Sequence, residues 1–160
     1  MFLLDTPVVL ELRKGKSDRI DAGVAAWAAA TPRQQLFISA LTLMELESSV
    51  LRSASPLLRS WLDDQVPAAF SGRILPIDAA VARKRASIPL SDNRDALLAA
   101  TALNHGLTLV SRNASAFRAS RLKLFNPWLY TPEAQEDLGD WRQAAKEAGP
   151  AWLKNLFLRF

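Results

Sequence analysis

The sequence predicts an α/β fold with a mostly parallel sheet, and three observations support this prediction. Short apolar runs rich in strand-forming residues alternate with segments whose apolar residues recur at helical spacing. Turn and cap residues such as Pro32 and Gly106 separate these segments. The chain has 160 residues, of which 49% are hydrophobic, so it is long enough to bury one core. Strands that alternate with helices in this way form layered domains around a parallel sheet.

Five short runs are predicted as strands, because they are apolar and bounded by turn residues. They are residues 2–5, 35–40, 73–78, 107–111 and 122–127. Thr6 follows the first run and is predicted to be the N-cap of the next helix. Pro7 then takes the first helical position, where a missing N–H group costs nothing.

The segments between these runs are predicted as helices. Their apolar residues share one face, as in the stripe of Leu43, Leu46 and Val50. Pro67 disturbs one of these helices, and Gly106 is the predicted C-cap of the best-defined one. The predicted helical segments are residues 7–13, 17–32, 42–53, 55–70, 79–88 and 92–105, with a further short helix within 111–118.

After Trp128 the chain changes character, so we divide it into a domain of residues 1–128 and an extension of residues 129–160. The extension begins with a polar helix candidate, and a second helix over 151–160 would gather large apolar side chains on one face. Such a face is expected to pack on the domain or on a dimer mate. A helix lying at a membrane surface is the alternative.

The composition excludes several kinds of site. The chain has no cysteine, which rules out disulfides, thiol catalysis and zinc–thiolate sites and fits the cytoplasmic location that we expect. No signal peptide is visible, and no run approaches the 18 or so apolar residues of a membrane span, so no stable membrane association is expected. The net charge of +4 is compatible with a polyanionic partner.

Three carboxylates are predicted to meet at one edge of the sheet. Asp5 ends the first strand, Glu45 lies near the start of the helix after the second, and Asp95 opens the helix that leads into the fourth. In parallel sheets, ligands bind outside the carboxyl ends of the strands. Carboxylates this close repel each other unless a cation neutralises them, and hard oxygen ligands favour Mg²⁺ or Mn²⁺. Such an ion can activate water for attack on a phosphodiester.

Each acid also has a structural explanation that the sequence leaves open. Asp5 can cap the first helix, and Glu45 can be a solvated helix residue. Asp95 can pair with Asp92 in the manner of a capping box. A receiver-like phospho-acceptor at Asp5 is a weaker alternative, because the chain lacks the neighbouring acid pair and a suitably placed lysine.

Four segments carry a resemblance to a known family. They are LLDTPVVLELRK, ISALTLMELESSV, DALLAATALNHGLTLVSRN and LKLFNPW. In order and spacing they resemble the opening, the second motif, the third and fourth blocks and the last strand of the PIN-domain ribonucleases, in the VapC-like toxin branch. The resemblance covers about residues 2–128, and its third block is the most specific.

The resemblance implies a three-layer α/β/α domain with a five-stranded parallel sheet of order 3-2-1-4-5. It implies an endoribonuclease that depends on Mg²⁺ or Mn²⁺ and acts as the toxin of a toxin–antitoxin pair. The implied partners are an RNA substrate, a small antitoxin and a second copy in a homodimer. Carried over to this chain, Asp5, Glu45 and Asp95 are the catalytic, metal-binding acids, and Thr6 helps to order the site.

Two positions depart from the family pattern. Pro7 stands where the family usually has Asn or Ser, and Ala116, in SRNASAF, stands where the family has an acid. Asn113 is left as a neutral ligand or water holder, and Arg112 is either a phosphate contact or a solvated surface residue. One carboxylate fewer weakens cation binding. A second hypothesis is therefore a degenerate, non-catalytic PIN domain that binds RNA or an antitoxin or serves in assembly.

Overall fold

A computed structural model describes residues 1–15 and 19–132 of the chain. The sheet has five parallel strands in the order β3-β2-β1-β4-β5, which confirms the predicted order 3-2-1-4-5. The strands are β1 Phe2–Leu4, β2 Leu36–Ser39, β3 Ile74–Leu75, β4 Thr108–Val110 and β5 Leu124–Phe125. Each strand lies inside one of the five predicted runs. The central strand β1 pairs with β2 on one side and with β4 on the other.

Helices connect the strands and largely follow the predicted segments, although the first begins at Thr6 rather than at residue 7 and the third at Ala40 rather than at residue 42. They are α1 Thr6–Leu12, α2 Ala22–Ala30, α3 Ala40–Ser53, α4 Pro56–Ser60, α5 Val66–Ala69, α6 Ala79–Ala86 and α7 Asn93–Asn104. Short 3-10 segments at Arg33–Gln35, Ala114–Ser120 and Pro127–Leu129 complete the connections. The C-cap of α7 is His105, one residue before the predicted cap Gly106. Gly106 follows with a left-handed φ of 63°, which suits a residue without a Cβ.

The two faces of the sheet pack against different helices. Leu4 and Val110 belong to a core cluster with side chains of α1, α2, α3 and α5. Leu3 and Leu109, their neighbours along the strands, belong to a second cluster with side chains of α6 and α7. Successive residues of a strand point to opposite faces, so each strand serves both clusters. The result is the three-layer α/β/α arrangement that the resemblance implies.

Pro67 changes the local geometry of the helical path that contains it. Between α4 and α5, residues Trp61–Gln65 form a π-helical turn, and the N–H group of Val66 donates to the carbonyl of Trp61. Proline has no N–H group, and its ring crowds the carbonyl four residues earlier. A wider turn accommodates this ring, so the predicted disturbance is a π-bulge rather than a break.

The first turn of α2 packs directly on the chain that follows β5. A Cβ atom on Gly23 would lie 2.7 Å from the carbonyl oxygen of Pro127 and 2.9 Å from that of Tyr130. Beside this contact, the rings of Trp27 and Phe125 have centroids 5.6 Å apart, and Phe125 also contacts Tyr130 at 6.3 Å. The chain up to Tyr130 is therefore packed on the body of the domain.

The predicted boundary between residues 1–128 and 129–160 stays a prediction. Residues 133–160, which carry both helices predicted for the extension, lie outside the described residues. Among the residues that are described, we find no helix with the length and apolar character needed to span a membrane.

Candidate active site

Asp5 directly follows β1, at the carboxyl edge of the sheet. Its backbone N–H group donates to the carbonyl of Val110 at 3.0 Å and so holds the residue beside the end of β4. The side chain is only 4% exposed. Its Oδ1 accepts from the N–H group of Thr6 at 2.8 Å, and its Oδ2 accepts from the hydroxyl of Ser111 at 2.6 Å. Two neighbouring strand ends thus supply a buried carboxylate and its hydrogen-bond donor.

The N-cap of α1 is Asp5. The predicted cap at Thr6 is therefore wrong by one residue, since Thr6 and Pro7 occupy the first two helical positions, and the alternative that Asp5 caps the first helix is confirmed. A carboxylate at this place satisfies a backbone N–H group and faces the positive end of the helix. Thr6 instead uses its hydroxyl to donate to Oε2 of Glu45, which joins the start of α1 to α3.

Glu45 and Asp95 come to the same edge from two other helices. The side chain of Glu45, in α3, is 26% exposed, so it is not the freely solvated residue of the structural alternative. Asp95 lies in the first turn of α7, and its N–H group donates to Oδ1 of the N-cap Asp92 at 2.8 Å. One half of the predicted capping pair is thus present, while the carboxylate of Asp95 points to the cluster.

One cation, Arg94, joins the three acids. Its Nε donates to Oε1 of Glu45 at 2.7 Å, and its Nη1 donates to Oδ1 of Asp95 at 2.8 Å. Its Nη2 donates to Oε2 of Glu45 at 2.9 Å and also to Oδ1 of Asp5. Three carboxylates and one guanidinium carry a formal charge of −2. The structure therefore brings Asp5, Glu45 and Asp95 together around a single cationic group.

These contacts shift the pKa values of two members of the cluster. Burial raises the pKa of Glu45, but the hydrogen bonds from Arg94 and Thr6 outweigh it, so the pKa lies below its usual value. The hydrogen bond to Glu45 is the main cause that raises the pKa of Arg94. Glu45 and Arg94 are therefore both charged at neutral pH.

A cleft of about 530 Å³ opens beside the cluster. Its walls include Thr6, Pro7, Glu45, Arg52 and Arg94. Pro7 is exposed, so the departure from the family pattern at this position leaves an apolar ring where a polar side chain would line the cleft. The cleft thus exposes Glu45 and Arg94, on one side of the acid cluster, to solvent and to a ligand.

The donors fit a hard divalent cation in type and in charge. Carboxylate and hydroxyl oxygens are the ligands that Mg²⁺ and Mn²⁺ prefer, and a cluster of formal charge −2 matches such an ion. In the arrangement described for residues 1–15 and 19–132, however, no three His, Cys, Asp or Glu side chains form a group that could hold a metal. The carboxylate oxygens accept from Arg94 instead. The metal-binding role of Asp5, Glu45 and Asp95 remains a prediction.

Arg112 and Asn113 follow Ser111 but direct their side chains elsewhere. The guanidinium carbon of Arg112 lies 5.4 Å from the ring centroid of Trp128. The Oδ1 of Asn113 accepts from the hydroxyl of Ser115 at 2.9 Å, while its backbone N–H group donates to the hydroxyl of Ser111 at 3.2 Å. Asn113 therefore supports Asp5 indirectly, through its main chain and Ser111.

Ala116 lies in the 3-10 segment Ala114–Ser120 and packs against the core cluster on the α6–α7 side of the sheet. Its neighbour Phe117 is fully within that cluster. The position that carries an acid in the family therefore offers a methyl group here.

Sequence reasoning missed Arg94 and Ser111. Ser111 directly follows β4 as Asp5 directly follows β1, so the strand-end argument applied to Asp5 also points to Ser111. Arg94 lies in the first turn of α7, where the helix macrodipole disfavours a cation. An arginine in that position, beside predicted acids, was the available signal of a compensating negative partner.

Comparisons with known proteins identify the family of this chain. The model of the PIN domain family matches residues 2–122. The chain belongs to the PIN domain family. VapC ribonuclease Y4jK of Sinorhizobium fredii is 33% identical over 142 residues, which cover 80% of this chain and 98% of that protein. Toxin FitB of Neisseria gonorrhoeae is 33% identical over 141 residues, which cover 80% and 99%.

Among solved structures, the crystal structure of FitAcB from Neisseria gonorrhoeae aligns with a TM-score of 0.74 and 31% identity. The alignment covers 81% of this PIN domain chain and 99% of that chain. The family match includes the three acids, Arg94 and Ser111. Almost the full length of each relative therefore aligns with about four fifths of this chain. The family match contains the whole candidate site.

Proposed function

We propose that this PIN domain is a divalent-metal-dependent endoribonuclease that acts as the toxin of a toxin–antitoxin pair. The observation that carries the proposal is the convergence of Asp5, Glu45 and Asp95, from three separate elements, on one cation at the carboxyl edge of the sheet. The names of two relatives, VapC ribonuclease and Toxin FitB, support the same function.

In this proposal the three acids hold Mg²⁺ or Mn²⁺. When bound, the ion supplies an activated water and neutralises negative charge on the phosphodiester. Ser111 and Thr6 orient the carboxylates of Asp5 and Glu45 through their hydroxyl groups. Such partners behind the ligands keep the oxygens in place before any ion arrives.

The cleft beside the cluster gives the RNA backbone a route to the acids. The chain has a net charge of +4, which favours a polyanion. Arg112 is exposed at the neighbouring strand end, and we assign it a contact to an RNA phosphate. Stacking on Trp128 holds this guanidinium in one place.

A toxin of this kind has a protein partner. The resemblance implies a small antitoxin and a homodimer, and we adopt both as part of the proposal. Light scattering after size-exclusion chromatography tests the dimer, because it should give about twice the chain mass of 17.6 kDa. Co-purification with the product of a short neighbouring reading frame tests the antitoxin.

The alternative is a PIN domain that no longer cuts RNA, and one observation favours it. Ala116 packs against the apolar core with a methyl group where a carboxylate is expected, so the cluster has three acids, and Arg94 already neutralises one of their charges. In that case the cleft serves binding or assembly only.

The deciding experiment combines calorimetric Mn²⁺ binding with RNA cleavage in the same buffer. We expect Asp5→Asn to lose Mn²⁺ binding and to reduce cleavage by at least about 100-fold, because a ligand matters no less than the partners behind it. Asparagine also serves as an N-cap, so α1 should remain intact.

The matched control is Asp63→Asn, which removes an exposed aspartate that also pairs with an arginine, Arg59. We expect it to bind and cleave like the wild type. A wild-type chain that is folded but neither binds Mn²⁺ nor cleaves any RNA would favour the non-catalytic alternative.

A further inference from the structure

Arg94 uses all three of its guanidinium nitrogens within the acid cluster. Nε donates to Oε1 of Glu45 at 2.7 Å, and Nη2 donates to Oε2 of the same residue at 2.9 Å. Nη1 takes Oδ1 of Asp95 at 2.8 Å, and Nη2 also reaches Oδ1 of Asp5. These donors occupy at least one oxygen of every acid that we assign to metal binding.

A guanidinium and a metal ion cannot use the same oxygen lone pairs at the same time, and two cations in one small cluster repel each other. We propose that Arg94 is the resident cation of the acid cluster and that a divalent ion has to displace it in order to bind. This inference rests on the proposed function, since it concerns the ion that the same acids would hold.

The surroundings show which part of the cluster can move. Asp5 is 4% exposed and is held by Thr6 and Ser111 as well as by Arg94. The side chain of Arg94 is 29% exposed, and it lines the cleft that opens beside the cluster. Arg94 can therefore leave toward the cleft while the carboxylates stay in position.

The position of Arg94 in its own helix also favours this exchange. The residue lies in the first turn of α7, where the partial positive charge of the helix terminus repels a cation. The three acids hold the guanidinium there. An ion of charge +2 that takes over the acids releases Arg94 from an unfavourable place, into a cleft where an anionic substrate can meet it.

The central test is the affinity for Mn²⁺ of wild type and Arg94→Gln, measured by calorimetry. A protein whose binding-competent state is populated at about one part in ten binds about tenfold more weakly than the competent state itself. We therefore expect Arg94→Gln to bind Mn²⁺ at least about tenfold more tightly than the wild type.

Arg52→Gln is the matched control, because it removes the same charge from the same cleft, and Arg52 forms no ion pair with an acid within residues 1–15 and 19–132. Its Mn²⁺ affinity should stay close to that of the wild type. An equal gain in both variants would mean that the general charge of the cleft, and not occupation of the oxygens, weakens binding, and it would overturn the inference.

A second readout needs no substitution in the measured protein. In the NMR spectrum, the Nε–H signal of Arg94 is the one that is missing from the spectrum of Arg94→Gln. On saturation with Mg²⁺ this signal should shift to the position of a solvated arginine. An Nε–H signal that does not move at saturation would overturn displacement. This result would leave the proposed function standing.

Thermal unfolding in a chelator completes the design. Without Arg94 the three carboxylates lack their counter-charge, so Arg94→Gln should melt at a lower temperature than the wild type in EDTA and regain stability with Mn²⁺. If the variant is unfolded without metal, Arg94→Lys, whose single ammonium cannot grip three acids, should bind Mn²⁺ with intermediate affinity. Binding of Mn²⁺ by none of the variants would overturn the proposed function and the displacement together.

Discussion

Within residues 1–15 and 19–132 there are two networks in which one arginine contacts several carboxylates, and they differ in burial and in the elements that they join. On the surface, Arg59 pairs with Glu47 of α3 and with Asp63 one helical turn away. Their side chains are 37%, 43% and 52% exposed. At the sheet edge, Arg94 collects carboxylates from three elements that lie far apart in the sequence. These carboxylates belong to Asp5, Glu45 and Asp95.

The difference shows how a cluster of charges is recognised as a site. In the surface network, water screens every member, and such pairs contribute little to stability. In the sheet-edge network the acids are partly or fully buried and outnumber the arginine by two, which is costly in a medium of low dielectric constant. We therefore interpret an excess of buried negative charge at the carboxyl edge of a parallel sheet as the mark of a cation site. The exposed surface network lacks this feature.

The largest effect in this comparison is expected from Ser111→Ala. The change removes the donor to Oδ2 of Asp5, an oxygen of a buried carboxylate. We expect Mn²⁺ affinity to fall by about 10- to 100-fold, as for other partners behind metal ligands. The free energy of unfolding should also fall by about 1–3 kcal/mol.

Calorimetry and denaturant titration of the same preparation measure both quantities. Ser115→Ala is the control, because Ser115 is exposed and its hydroxyl donates to Oδ1 of Asn113 rather than to one of the three acids. Unchanged Mn²⁺ affinity in Ser111→Ala would show that Asp5 needs no partner behind it.

A smaller effect, on the melting temperature, is expected when the pH is lowered. The pKa values of Glu45, Glu47 and Asp63 are all lowered in the folded chain, in the two surface residues mainly by the hydrogen bond from Arg59. A group with a lowered folded pKa stabilises the fold above its unfolded value, about 4.5 for Glu45, and this contribution is lost as the pH falls through the folded pKa. The melting temperature should therefore fall on acidification below about pH 4.5.

Salt separates the two networks in that experiment. High salt screens the exposed pairs more than the partly buried ones. We expect part of the acid-dependent loss of melting temperature to persist in high salt. Complete suppression by salt would assign the whole effect to the surface and would contradict a strong coupling of Glu45 to Arg94.

The smallest effect is expected from Arg59→Gln. Its contacts are solvent-exposed, so the melting temperature at neutral pH should barely change, and Mn²⁺ binding and cleavage should stay at the wild-type level. Scanning calorimetry and the cleavage assay check this. A loss of stability as large as that of Arg94→Gln in EDTA would remove the distinction between the two networks.

Much of the fold follows from the sequence because its signals are local. Each strand is a short apolar run between turn residues, and Gly106 and Pro67 act where their backbone chemistry requires. The N-cap was misplaced by one residue because Asp5 and Thr6 are both good caps and stand side by side. In the folded chain Asp5 caps α1, while the hydroxyl of Thr6 donates to Glu45.

The candidate site was predicted in its acids and missed in their partners. Strand ends placed Asp5 and Glu45 near each other, but the direction of a long side chain is a tertiary property. Arg94 could equally have extended into solvent from the start of α7. The position of Arg112 next to a strand end was predicted, but the direction of its side chain, which lies over the ring of Trp128, was not.

Gly23 limits the substitutions that the first turn of α2 can accept. In an exposed helix, replacement of glycine by alanine usually stabilises by about 1 kcal/mol, so most such positions are open to exchange. Here the added methyl group would meet two main-chain carbonyl oxygens, of Pro127 and Tyr130, at less than 3.0 Å. A main-chain oxygen has no side chain that can rotate away. Replacement of Gly23 by a larger residue therefore requires a compensating shift of the chain after β5, about a hundred residues later.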